Sequence, residues 1–362
     1  PLVTAGWSCP TAVVRAVSDA PGRPLASPAN ISGLLQALRT LARVGPALER
    51  WAAATAPRTV MLAEPRSFCA GVERAIETVE RALDRFGAPL YVRRQIVHND
   101  HVVAGLEARG AVFVRELDEV PDGATVVLSA HGVAPAVRAE ADRRGLRVVD
   151  ATCPLVAKVH REVRRFADRG HQLVLIGHPG HDETEGTLGE ADGIRLVEAP
   201  ADVAGLDLDP DRTVAYATQT TLAPDETAAT VAALRARFPD VVGPSASDIC
   251  YATHNRQEAV RAIARRCDTV LVVGSPTSSN SRRLVEVASR AGSPAHLVGD
   301  ERDLDLTWLA GAGTVGLTAG ASAPEDVVRR VLAALASLGP IDIRTETLRN
   351  ETVSFPLPLE VR

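Results

Sequence analysis

At 362 residues, with 46% apolar and 23% charged residues, the chain has the make-up of a globular protein of two or three domains. A net charge of −5 gives no footing for nucleic acid or an anionic membrane surface as partner. No stretch approaches the roughly 20 uncharged apolar residues of a membrane span, and five cysteines without a CxxC pair argue against a zinc ribbon or a disulfide framework. A reducing, cytoplasmic setting is the expectation. Of 40 basic residues only Lys158 is a lysine.

Residues 1–57 stand outside any repeat. The stretch up to about Asn30 is rich in Pro, Ala and Ser and is expected to be mobile. From Ser32, a candidate N-cap, the run SGLLQALRTLARVGPALERWAAATA places Leu34, Leu35, Leu38 and Leu41 at helical spacing. A targeting peptide and a partner-binding helix are its functional readings, and a poorly ordered extension is the plainer one. Arg15 and Asp19 interrupt the only apolar run near the start, which speaks against a secretory signal.

From Arg58 onward the chain repeats itself three times, a feature to be sought before any other. Cys69, Cys153 and Cys250 each open a helical pattern that stops at Gly87, Gly170 and Asp268, 17 or 18 residues on. A strand-like run follows each helix (LYVRRQIV, QLVLIG, TVLVVG) and ends in a polar group. His98 lies 29 residues after Cys69, His181 28 after Cys153 and Asn280 30 after Cys250. Twelve further on stand Gly110, Gly193 and Gly292, which read as helix stops. A third strand in each unit ends at His131, Thr220 and Ser322. The units run over 58–151, 152–247 and 248–339, with a tail over 340–362 in which NETVSFPLP, from Asn350, reads as a last extended segment returning to cover the first unit. Strands alternating with helices predict an α/β protein of three pseudo-equivalent units with parallel sheets. Ligands of open α/β sheets gather at the carboxyl ends of strands, so these polar groups are candidates for one shared site.

Three cysteines at equivalent positions imply a centre of soft ligands, for which zinc, copper(I) and iron–sulfur clusters compete. Structural zinc favours four ligands in close pairs, whereas a cubane held by three cysteines keeps one iron open to substrate. Cys9 and Cys267 lie off the repeat and carry no role. His98, His131 and His181 with Ser278, Ser279, Asn280 and Ser322 supply N–H and O–H donors suited to a phosphorylated ligand. Glu183 is the carboxylate of this set placed to act as general acid, and Thr220 is placed to relay a proton or hold a substrate hydroxyl. A three-cysteine zinc hydrolase and an iron–sulfur sensor are the rival classes, though a sensor needs neither Glu183 nor Thr220.

The segments PRSFCAGV, VHN, SAHG, DATCPLV, HDETEGT, TQTTL, CYATHNRQEAV, SSNS and TAGASAP, in this order, are similar to the motif series of the 4-hydroxy-3-methylbut-2-enyl diphosphate reductases. The resemblance runs from about Arg58 to the C-terminus. It implies a trefoil of three αβ domains around one [4Fe–4S] cluster ligated by Cys69, Cys153 and Cys250, with one open iron. It further implies a diphosphate held by His98, His131, His181, Ser278, Ser279, Asn280 and Ser322, and protons handled by Glu183 with Thr220. The reaction it implies is reductive loss of an allylic hydroxyl, the last step of the non-mevalonate isoprenoid pathway. The resemblance also implies an external one-electron donor of ferredoxin or flavodoxin type. Ser67 stands where this family usually has glycine, and its hydroxyl is expected near a cluster sulfur.

Overall fold

The structure, a computed structural model, describes residues 15–16 and 29–362, so Cys9 and most of the stretch before Asn30 lie outside the described residues. In chain order the elements are α1 (Ala29–Ala54), β1 (Arg58–Glu64), α2 (Ala70–Phe86), β2 (Leu90–Arg93), α3 (Asp100–Glu107), β3 (Ala111–Val114), β4 (Thr125–Leu128), α4 (Pro135–Arg143) and β5 (Arg147–Asp150). There follow α5 (Pro154–Asp168), β6 (Gln172–Ile176), α6 (Asp182–Leu188), β7 (Arg195–Val197), β8 (Val214–Thr218), α7 (Pro224–Arg237) and β9 (Val241–Val242). The last third holds α8 (Tyr251–Ala264), β10 (Thr269–Val273), α9 (Ser279–Arg290), β11 (Ala295–Val298), α10 (Leu306–Leu309), β12 (Thr314–Ala319), α11 (Glu325–Leu338) and β13 (Ile341–Thr347).

The strands form three parallel sheets, ordered β3-β2-β4-β5, β7-β6-β8-β9 and β11-β10-β12-β1-β13. Central strands are buried along their whole length, as in Thr269–Val273, because helices cover both faces. The periodic stripes do the covering. Val72, Val79 and Leu83 of α2 join Leu90 and Val92 in one core, and Val159, Val163 and Phe166 of α5 join Leu173 and Leu175 in another. Gly110 and Gly292 take positive φ (103° and 104°) just past α3 and α9, the conformation that ends a helix at little steric cost in glycine. Gly193 also has positive φ (76°) but is not a helix stop, because α6 ends at Leu188 with Gly189 as its C-cap.

One element departs from the repeat as read in the sequence. Strand β1, placed there at the head of the first unit, pairs instead with β12 and β13 in the third sheet, with Leu62 opposite Leu317 and Thr345. The reason is ring closure. Cys153 follows β5 of the first sheet and leads into α5, which covers the second. Cys250 likewise follows β9 and leads into α8, whose Val260 and Ala264 pack on the third sheet. Cys69 can occupy the matching position only if the strand before it belongs to the third sheet. The C-terminal tail serves two units: β13 edges the third sheet, while Leu357 and Val361 pack into the core of the first.

Helix α1 begins three residues before Ser32, which therefore lies inside it. Its Leu34, Leu35, Leu38, Leu41 and Leu48 are 37–53% exposed, whereas Ala37 and Ala54 are buried. Ala54 sits in the core of the third sheet, and its carbonyl accepts from the buried Arg58 guanidinium. A chain beginning at Glu49 keeps that last turn and should unfold within about 2 °C of the full chain. One beginning at Thr59 loses it and should unfold at least about 5 °C lower, since each kcal/mol is worth roughly 2–4 °C at this size. Thermal unfolding followed by circular dichroism checks both, and an equal drop would assign the stability to the exposed length of α1.

Candidate active site

The three cysteines occupy one structural position used three times. Each is the N-cap residue of its helix, Cys69 of α2, Cys153 of α5 and Cys250 of α8. Each backbone N–H donates to a carbonyl just past the third strand of a neighbouring unit: Cys69 to Ala321 (3.3 Å), Cys153 to Ala130 (2.9 Å) and Cys250 to Thr220 (3.0 Å). The thiols therefore meet at the inner ends of three helices whose positive dipole ends face the same space. Gly71 forms the floor. A Cβ added there would lie 2.8 Å from Cys153 Sγ and 3.8 Å from Cys69 Sγ.

All three cysteines line a single cavity. Every residue proposed from the sequence as part of the site lines it: His98, His131, His181, Glu183, Thr220, Ser278, Ser279, Asn280 and Ser322. Burial pushes the Cys153 thiol up to about 12 and the Cys250 thiol up to about 11, with the neighbouring thiols adding to it. Such thiols ionise readily only against a bound metal cation. Three soft donors, a floor without a side chain and three converging helix N-termini suit a metal–sulfur group.

The opposite wall is polar. The His98 and His131 rings stack with centroids 4.0 Å apart, and His181 stands edge-on to both at 5.1 and 5.7 Å. Burial lowers the pKa of all three, His181 to about 4, so they are neutral at pH 7 and each offers one N–H. Ser278 and His181 are N-caps of α9 and α6. The Ser322 hydroxyl donates to the His98 carbonyl (3.1 Å) and lies 3.4 Å from Ser278 Oγ. Asn280 Oδ1 accepts from Ala321 N–H (2.8 Å) and holds the amide at the cavity wall.

Glu183 is 3% exposed. Its carboxylate accepts from Thr220 N–H (2.6 Å) and from the Thr220 hydroxyl (3.0 Å). Those bonds favour the charged form, but burial outweighs them and raises the pKa to about 7, with the Asp248 charge adding to the rise. Glu183 is thus a carboxylic acid that still carries its proton near neutrality.

Several participants were given no individual role by the sequence, Asp182 appearing there only within the polar group His181-Asp182-Glu183. Asp182 places its carboxylate 4.0 Å from His98 Nε2 and 3.8 Å from His131 Nδ1, and Arg94 pairs with Asp182 and with Glu185 (2.6 Å). Arg94 follows β2 with φ of 56°, and nothing in its sequence context announces a site. Thr253, three residues past the capping cysteine, lies with Oγ1 3.0 Å from Cys250 Sγ; a helix's third position was its only signal. Phe355 of the tail also lines the cavity. Ser67 does adopt a glycine-like φ of 58°, but its hydroxyl was misplaced by the sequence reading. It donates to Glu325 Oε2 (2.6 Å), because the left-handed backbone turns the side chain toward the start of α11. Cys267 packs among apolar side chains away from the cavity, and among the described residues no helix is long and apolar enough to cross a membrane.

A family model described as LytB protein matches residues 60–336. The chain is 58% identical over 324 residues to 4-hydroxy-3-methylbut-2-enyl diphosphate reductase 2 of Mycobacterium bovis, covering 88% of this chain and 98% of that protein. It is 58% identical over 306 residues to 4-hydroxy-3-methylbut-2-enyl diphosphate reductase of Aromatoleum aromaticum, with 84% and 98% covered. Among solved structures, the E-1-hydroxy-2-methyl-but-2-enyl-4-diphosphate reductase from Plasmodium falciparum is similar with a TM-score of 0.81 at 38% identity, over 84% of this chain and 97% of that one. The threefold cysteine position, the polar wall facing it and these likenesses agree, and the chain belongs to the LytB family, that of the 4-hydroxy-3-methylbut-2-enyl diphosphate reductases.

Proposed function

We propose that this chain reduces 4-hydroxy-3-methylbut-2-enyl diphosphate, removing its allylic hydroxyl to give isopentenyl and dimethylallyl diphosphate. One observation carries the reading. A protonated, buried Glu183 faces the same cavity as three capping cysteines and a wall of neutral hydrogen-bond donors. The balance is two electrons and two protons in, one water out.

Cys69, Cys153 and Cys250 would hold one [4Fe–4S] cluster with one open iron, which when bound supplies single electrons and a Lewis-acid position for a hydroxyl oxygen. The remaining work belongs to the side chains. His98, His131, His181, Ser278, Ser279, Asn280 and Ser322 give the diphosphate N–H and O–H donors in a buried setting where each bond is strong. Arg94 offsets the Asp182 carboxylate, so the anion meets no uncompensated negative charge at the histidines. Holding the diphosphate there sets the far end of a five-carbon chain against the cysteines and beside Glu183. Glu183 delivers its proton from Oε to the departing hydroxyl, and Thr220 keeps that carboxyl oriented through two hydrogen bonds. The one GxGxxG match, Gly311–Gly316, runs into strand β12 rather than opening a helix, so the electrons come from an external one-electron donor of ferredoxin or flavodoxin type.

Two experiments probe this arrangement. Gly71→Ala puts a methyl 2.8 Å from Cys153 Sγ in a helix that itself tolerates alanine. The variant should fold normally yet hold about tenfold less iron and absorb correspondingly less near 400 nm. Gly105→Ala, whose added Cβ meets nothing within 4 Å, should match the unsubstituted protein. Equal iron in both variants would contradict the placement of the metal group at Gly71.

Glu183→Gln keeps size and hydrogen bonding but has no acidic proton. Anaerobic turnover of the allylic diphosphate with a chemical reductant should fall by about 10² to 10⁴, while the cluster spectrum and its response to substrate persist. In the unsubstituted enzyme the acid form is present below the raised pKa, so kcat/KM should decline as pH rises through about 7. Normal turnover in Glu183→Gln would remove the proton-donor role, and lost substrate response would make Glu183 a binding group.

A further inference from the structure

Each cysteine-capped helix carries a cation one and a half turns in, and each cation performs the same task. Arg74, five residues after Cys69, donates from Nη1 to the Ala151 and Thr152 carbonyls (3.0 and 3.1 Å), the two residues that lead into Cys153. Lys158, five residues after Cys153, donates from Nζ to the Ala246 and Ser247 carbonyls (2.7 and 3.1 Å) and to Asp248 Oδ1 (3.0 Å), the residues that lead into Cys250. Arg256, six residues after Cys250, donates from Nε and Nη2 to the Ser67 carbonyl (3.1 and 2.8 Å). Its Nη2 also donates to the Phe68 carbonyl (3.1 Å), so it grips the two residues that lead into Cys69. The three contacts close a ring. The helix begun by one cysteine grips the backbone that presents the next.

We propose that Arg74, Lys158 and Arg256 are positioning residues for the three metal-ligating cysteines, each fixing the loop of the following ligand from the helix of the preceding one. This rests on the reading of the cysteines as cluster ligands. Several observations on the chain support it. Among the described residues Arg256 has the largest fully buried side chain, a position a guanidinium occupies only when its donors are satisfied. Its remaining Nη1 pairs with both oxygens of Glu351 (3.1 Å each) and with the Ala252 carbonyl (3.1 Å), so the C-terminal tail backs the grip on Cys69. The Ser67 carbonyl it holds belongs to the residue at φ 58°, a conformation that serine keeps only when its surroundings impose it. Arg74 is backed by the same tail, through Nε to the Pro356 carbonyl (2.8 Å).

The ring also accounts for the only lysine. Two consecutive carbonyls suit the planar fork of a guanidinium, whereas three acceptors converging on one point suit the three N–H bonds of an ammonium. Two carbonyls and the Asp248 carboxylate make such a convergence, and Glu162 adds a fourth oxygen at 3.4 Å. Three cations beside the cysteines also offset the negative charge that thiolates and a reduced cluster bring.

The test compares Arg74→Met, Lys158→Met and Arg256→Met with Arg144→Met, all purified anaerobically with the cluster in place. Arg144 likewise grips loop carbonyls, those of Leu117 and Val120, but inside the first unit and away from any cysteine. Loss of absorbance near 400 nm to an iron chelator should be about 10- to 100-fold faster in the three ring variants. Their midpoint potential should fall, while Arg144→Met keeps both values. Should a methionine variant fail to fold, Arg74→Lys, Lys158→Arg or Arg256→Lys replaces it. Charge is then kept but donor geometry is not, and loss should still be severalfold faster. Ring variants that lose iron no faster than Arg144→Met, at unchanged potential, would overturn this inference alone. An unsubstituted protein that purifies without iron would overturn both it and the cluster reading beneath it.

Discussion

The structure depends on three hydrogen bonds, each from the backbone N–H of a helix-capping cysteine to a carbonyl at the end of a neighbouring unit's third strand. Each bond joins the unit a chain segment is leaving to the one it enters. The three thiols converge only when all three sheets are in place, so the site exists only in the assembled trefoil. That requirement explains why β1 is drawn into the third sheet rather than the first. It also explains why the tail crosses back, with β13 beside β1 and Val361 in the first core.

For two of the thiols, the histidines and Glu183, burial sets the chemistry in one sense: the neutral form is favoured. Thiols at Cys153 and Cys250 keep their protons, the histidines stay uncharged, and Glu183 holds a proton to about pH 7. A cavity so prepared carries little charge of its own. In the proposed function, charge arrives with the occupants, a metal group on one wall and a diphosphate on the other. Three helix N-termini answer the first, and imidazole, hydroxyl and amide donors answer the second. The proton stored on Glu183 sits between them.

Much of this was legible in the sequence because the repeat wrote it three times. Near-equal spacings identified the three cysteines and the polar strand ends His98, His181 and Asn280, and the recurring third strand identified His131, Thr220 and Ser322. Positive-φ glycines at 110, 193 and 292 mark the same register in the backbone. Apart from the local Thr253–Cys250 contact, the unread parts share a cause: they rest on contacts between units, which a period of about ninety residues does not encode. β1 pairs across more than 250 positions with β12, Arg94 reaches from β2 to Asp182 on α6, and Arg256 reaches back to Ser67. Ser67 shows the limit at a single residue. Its glycine-like backbone was foreseeable from the motif, but its hydroxyl points where the local φ sends it, to Glu325 and not to the cavity.

The central claim is that one cluster sits on three cysteines and leaves a single iron for the substrate. Mössbauer spectroscopy of the anaerobically purified, iron-57-labelled protein, with and without the allylic diphosphate, tests it directly. The account predicts about four irons per chain, as one [4Fe–4S] cluster requires, divided three to one, with only the minority signal moving when substrate binds. Four equivalent irons indifferent to substrate, or zinc in place of iron, would contradict it.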